Sequence, residues 1–184
     1  MKNQGARGPT AELSIVSPKL FEGRRYILSE IWPIGAILLA FLILAGVYLS
    51  QPGLAWDEAL YIPYAEECRQ WFVALPATFN WPALHDSLGR FMSHPPLATY
   101  TMAASIQALG NSIGILYAAR VASVMSMAAL LVAVYFFTLR TSGVIAATAA
   151  CFFLVTIPQF FEYGILATLE MPTALWWFAA AALF

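Results

Sequence analysis

The sequence predicts an all-α membrane protein, with several transmembrane helices and interfacial amphipathic helices in its first outer loop. Three observations carry that prediction. Hydrophobic residues make up 61% of the chain and charged residues 10%, against roughly 45–50% and about 25% in an ordinary soluble domain. Ile31 to Leu49 is an almost unbroken apolar run, close to the ~20 residues that cross a hydrocarbon core. Three more apolar segments follow the polar stretch 50–112, each parted from the next by a brief polar break.

Residues 1–30 are polar and mixed in charge, as expected of a cytoplasmic tail. Trp32 opens the first span at an interfacial position, and the apolar run exceeds the ~7–15 residues of a cleaved signal peptide. Five basic residues (Lys2, Arg7, Lys19, Arg24, Arg25) precede this span, while only Arg69 and Arg90 lie in the loop after it. That asymmetry puts the N-terminus in the cytoplasm and the loop 50–112 outside.

Within the loop, Leu60, Tyr64, Cys68, Trp71 and Phe72 recur at helical spacing, with Glu66, Glu67, Arg69 and Gln70 on another side. This is the pattern of an amphipathic helix lying in the interface plane. Pro63 lacks a backbone donor and suits a first turn, so the regular helix is expected from about Ile62, with Asp57 and Glu58 on the turn before it. Pro95-Pro96 opens a second helix, Leu97–Leu109, which Gly110-Asn111 should stop.

Later spans are expected at about 113–139, 144–161 and 165–184. Arg120 lies near the outer end of the first of these, Arg140 closes it on the cytoplasmic side, and Thr141-Ser142-Gly143 makes a tight turn. Glu162 and Tyr163 form a short outer loop. The chain ends at Phe184, twelve residues after Pro172 and short of a crossing. The expectation is an N-terminal fragment of a longer protein, inactive alone.

Half of the ten acidic residues fall between Trp56 and Leu97, and the chemistry is sought there. A carboxylate at the membrane surface can take a proton from an attacking hydroxyl or amine. Asp57 and Glu58 suit that role, but acids also stabilise helix N-termini as caps. Glu170 sits among apolar residues where an unpaired charge costs several kcal/mol; it either caps a helix opened by Pro172 or lines a site. Arg120 can bind a phosphate in bidentate fashion or pair with a loop acid. His94 can bind phosphate or metal, although a lone histidine before Pro-Pro is ordinarily polar loop. Cys68 and Cys151 occupy unlike surroundings and suggest neither a disulfide nor a metal site. A net charge of −1 without a basic run gives no sign of a nucleic-acid partner.

The order of first span, Asp57-Glu58, amphipathic helix, His94-Pro95-Pro96-Leu97, Arg120-bearing span and Glu170-Met171-Pro172 resembles the GT-C membrane glycosyltransferases. It is most similar to the dolichyl-phosphate-mannose protein mannosyltransferase and aminoarabinose transferase group. The resemblance covers about residues 30–184. It implies catalytic Asp57 and Glu58, and substrate contacts from Tyr61, His94, Arg120 (with Ser123 in an Arg-X-X-Ser pattern) and Glu170. It further implies a polyprenyl-phosphate-linked sugar donor and a lipid, glycan or protein acceptor, in a bacterial or archaeal plasma membrane rather than the endoplasmic reticulum. Two departures stand out: Glu170 replaces the usual Asp, and Ser93 stands where some relatives carry a metal-binding acid. A divalent metal is therefore left open. The rival expectations are a polytopic transporter, with Arg120 and Glu170 on a solute path, and a non-catalytic membrane subunit.

Overall fold

The computed structural model describes residues 19–49, 55–74 and 96–183, and every regular element among them is an α-helix. They are α1 (Lys19–Leu49), α2 (Trp56–Ala74), α3 (Pro96–Ile113), α4 (Ile115–Thr156), α5 (Pro158–Ile165) and α6 (Glu170–Leu183). The chain divides into two units, Met1–Trp32 and Pro33–Phe184. The first contributes the opening of α1; the packing described below belongs to the second.

Several boundaries differ from the sequence expectations, each for a local reason. α1 starts at Lys19, so part of the expected polar tail is helical. α2 begins at Trp56 with Pro63 inside it. Asp57 and Glu58 thus lie in its first turn, where the helix dipole favours acids, and the Pro63 residue is exposed. α3 continues through Gly110-Asn111 and stops at Gly114, whose φ of 87° breaks the helix. The expected 144–161 span is interrupted at Ile157, which is extended and followed by Pro158 at the start of α5. Glu162 and Tyr163 are helical, and the non-helical turn falls at 166–169 instead.

The turn expected at Thr141-Ser142-Gly143 is present inside α4. Gly143 has φ 83° and ψ 176°, a region essentially restricted to glycine. The Cys151 thiol donates to the Leu131 carbonyl at 3.3 Å, although twenty residues of straight helix would separate them by about 30 Å. The two arms, 115–142 and 144–156, therefore fold back side by side. An added Cβ at Gly143 would meet nothing within 4 Å, so a substitution there is opposed by backbone strain alone. Gly143→Ala should destabilise by about 1–3 kcal/mol, measured by thermal unfolding in detergent. Gly46→Ala, in a helix and equally uncrowded, should be neutral or stabilise by up to about 1 kcal/mol. Equal effects at the two sites would remove the special role of the Gly143 turn.

By length and composition Ser29–Leu49 and Ile115–Thr156 are each apolar enough to cross a membrane. α5 and α6, bent by 105° at their break, add a third span if the pair counts as one. Leu39, Ile43, Val47, Ile145, Phe153 and Trp177 are all more than half exposed, a larger apolar surface than water tolerates. One core joins α1, both arms of α4, α5 and α6 through Phe41, Met127, Leu131, Tyr135, Ala147 and Cys151. A second, rich in alanine, joins α2, α3, α4 and the 166–169 turn through Tyr61, Ala98, Ala118, Ala119, Ala122 and Ala167. Small residues there let backbones approach closely, which is how helices associate when lipid removes the hydrophobic drive between them. In such a setting polar ties between helices count for more than apolar area.

Candidate functional site

The strongest such tie centres on Glu58, which is fully buried with Arg120 only 3% exposed. Ala55 accepts the first backbone bond of α2, from the Ala59 N–H at 3.2 Å, so Ala55 is the N-cap and Glu58 the third helical residue. From there the Glu58 side chain reaches back to the Ala55 N–H at 3.0 Å, one half of a capping box. Arg120 donates to it in a fork, Nε to Oε1 at 2.7 Å and Nη2 to Oε2 at 2.8 Å. The Ala167 N–H gives the fourth bond, to Oε1 at 2.8 Å. A carboxylate has about four acceptor positions, and all four of Glu58's are filled.

Arg120 is equally occupied. Its remaining terminal nitrogen, Nη1, donates at 3.2 Å to the carbonyl of Leu49, the last residue of α1. Helix-end carbonyls have no partner inside their own helix and attract cations. One ion pair therefore joins the end of α1, the start of α2, the N-terminal part of α4 and the turn before α6. Ser123, one turn along α4 from Arg120, donates to the Thr168 carbonyl at 3.3 Å and holds the same turn. Ser105 of α3 donates to the Ala118 carbonyl at 2.6 Å.

Burial pushes the Glu58 carboxyl up, but the bonds from Arg120, Ala167 and Ala55 outweigh it and hold the group below the ordinary carboxylate range. A depressed folded-state pKa stabilises above the unfolded value and loses that contribution as pH falls through the folded one. The clamp should therefore hold at neutral pH and weaken below about pH 4.5, the ordinary value. Thermal midpoints measured on descending pH should fall in wild type below that value. A slope equally steep in Glu58→Gln would assign the acid lability to other carboxylates.

Around this clamp stand the other predicted residues. Asp57 is half-buried in the first turn of α2, Tyr61 is buried one turn further on, and Glu170 begins α6. Tyr61 senses both acids: burial first, then the charges of Glu170 and Asp57, push its hydroxyl up. It stays protonated, and available as a donor, to higher pH than an ordinary phenol. The Glu170 Oε2 atom is buried and has no hydrogen-bond partner among the described residues, an unusual state for a carboxylate oxygen. Among the described residues it is the one buried side-chain nitrogen or oxygen without a hydrogen-bond partner.

The geometry thus brings together five of the six predicted residues, in two sets. Glu58 and Arg120 face each other, while the Tyr61 phenol lies within electrostatic reach of Glu170 and Asp57. His94 and the rest of 75–95 lie outside the described residues. No group of three or more His, Cys, Asp or Glu side chains converges on a metal position among the described residues. The contributions of Leu49, Ala55 and Ala167 were not foreseeable, because each acts through its backbone and side-chain chemistry gives no sign of it. No family model matches the chain, and no curated protein or solved structure matches it either.

Proposed function

We propose that the chain forms the outer-face catalytic end of a multi-pass membrane glycosyltransferase, which moves a sugar from a polyprenyl-phosphate donor to an acceptor hydroxyl or amine. The supporting observation is that Glu170, more than a hundred residues further along the chain, lies within electrostatic reach of Tyr61, as does Asp57 one turn before it on α2, beside the buried Glu58–Arg120 clamp. In this reading Asp57 takes the proton from the acceptor as its oxygen or nitrogen attacks the anomeric carbon. The bond from that carbon to the phosphate oxygen breaks, the configuration inverts, and polyprenyl phosphate leaves. Glu170 and the Tyr61 hydroxyl line the sugar side of the site.

Glu58 and Arg120 are assigned as positioning residues. Each of the three guanidinium nitrogens is already engaged, and 3% exposure leaves no surface for a phosphate. Of the basic residues that the resemblance implies, His94 is then the one for the donor phosphate. The N-terminus is cytoplasmic and the membrane is a bacterial or archaeal plasma membrane, following the basic-residue asymmetry and the resemblance.

The test is transfer of labelled sugar from a polyprenyl-phosphate donor by the full-length protein in proteoliposomes, together with a sidedness map. Ala59→Cys and Ser142→Cys, both at exposed positions, should react with impermeant thiol reagents from opposite faces, Ala59→Cys from outside. Labelling from one face, or membrane insertion without any transfer, would overturn the reading. The 105° break before Glu170 also suits the interrupted helices of transporters. Solute flux into the same vesicles without sugar transfer would establish that alternative.

A further inference from the structure

Arg140 lies twenty residues along α4 from Arg120, about 30 Å of helix, which matches the thickness of a hydrocarbon core. The two guanidiniums thus stand near opposite membrane surfaces, in contrasting states. Arg120 is buried and bonded on three nitrogens. Arg140 is exposed, and no side chain or carbonyl among the described residues pairs with it. Next to it a groove of about 590 Å³ opens between α4 and α6, walled by Ala133, Phe136, Phe137, Phe178 and Ala182. Phe137 and Phe178 meet edge to face at 5.8 Å and tie the two helices together. The volume is that of a ligand pocket, within the usual range of about 300–1,000 Å³.

An unpaired cation at the mouth of an aromatic, apolar groove complements a molecule with an anionic head and a hydrocarbon tail. We propose that this groove holds an anionic phospholipid of the leaflet on the Arg140 side, its phosphate on the guanidinium and an acyl chain against Phe136, Phe137 and Phe178. The cytoplasmic leaflet is rich in such lipids, and basic pockets between helices on that side bind their head groups. The site is independent of glycosyl transfer; it requires that α4 and α6 lie in a bilayer and rests on the proposed topology, which puts Arg140 at the cytoplasmic side.

The experiment is native mass spectrometry of the full-length protein released from nanodiscs of phosphatidylcholine alone or mixed with phosphatidylglycerol. Wild type should retain phosphatidylglycerol preferentially. Arg140→Gln should lower that preference about fivefold, the effect of one surface arginine on an anionic lipid, and Arg140→Lys should keep most of it. Phe178→Ala should reduce retention of both lipids, since the chain contact does not depend on the head group. A preference unchanged in Arg140→Gln would overturn the proposal. So would the absence of retained lipid in wild type, which would mean that another part of the protein covers the groove.

Discussion

Arg120→Leu should destabilise the protein by about 3–5 kcal/mol, the cost of removing one partner from a buried ion pair. The loss comes less from the attraction itself than from the carboxylate left behind, which keeps the Ala55 and Ala167 amides but no cation. Without Arg120 nothing of comparable strength opposes the burial that already pushes Glu58 up. Its pKa should then rise above the ordinary value, and the sign of the pH response should invert. A buried carboxyl with a raised pKa is accommodated when neutral and costs free energy once ionised. Stability of Arg120→Leu should therefore increase on mild acidification, whereas wild type loses stability below about pH 4.5. Glu58→Gln combined with Arg120→Leu, which removes both charges, should cost clearly less than the sum of the single substitutions, with a coupling of about 0.5–3 kcal/mol. Thermal unfolding in detergent across pH gives all of these numbers. Additive effects, or a variant whose pH response keeps the wild-type sign, would show that the pair carries little of the architecture.

That clamp marks the boundary of what the residues alone reveal. Apolar content and run length are enough to predict helices and membrane-scale segments, because a bilayer imposes them on any sequence. Gly143 was predictable as a turn because it follows Thr-Ser at the end of an apolar run, next to Arg140. Gly110 misled, since Gly-Asn normally ends a helix, yet here Gly110 stays helical and Gly114 breaks the chain. Pro63 misled in the same way. A proline suggests a helix start, but the actual start at Trp56 is fixed by the Glu58 side chain capping Ala55, a bond that no propensity scale contains.

At the site, spacing placed Asp57 and Glu58 together at a helix N-terminus but could not separate their roles. Adjacent residues on a helix point about 100° apart, so one faces the α4 clamp and the other does not. The pairing with Arg120 joins residues 62 positions apart. Either acid could have made it, and only the packing of α2 on α4 decides that Glu58 does. The same packing leaves the Asp57 charge within reach of the Tyr61 hydroxyl.

This division of labour sets up the second large effect. Asp57→Asn in the full-length protein should lower turnover by about 10²–10⁴-fold, the contribution of a positioned general base. Its fold should survive, because the substitution removes only a charge from the first turn of α2, worth about 0.3–1 kcal/mol through the helix dipole. The acceptor would still bind, so the loss should appear in kcat with KM nearly unchanged. Asp57→Glu keeps the carboxylate but displaces it by one methylene, and should recover part of the rate. Glu58→Gln provides the contrast. It disturbs the clamp, so stability and activity should fall together there, and lowering the temperature should restore part of the activity, which it would not do for Asp57→Asn. Single-turnover transfer measured beside thermal midpoints for the three variants separates the roles. Wild-type turnover in Asp57→Asn would move the base elsewhere, with Glu170 the next carboxylate at the same phenol; parallel loss of fold and activity at position 57 would make it a second strut of the clamp.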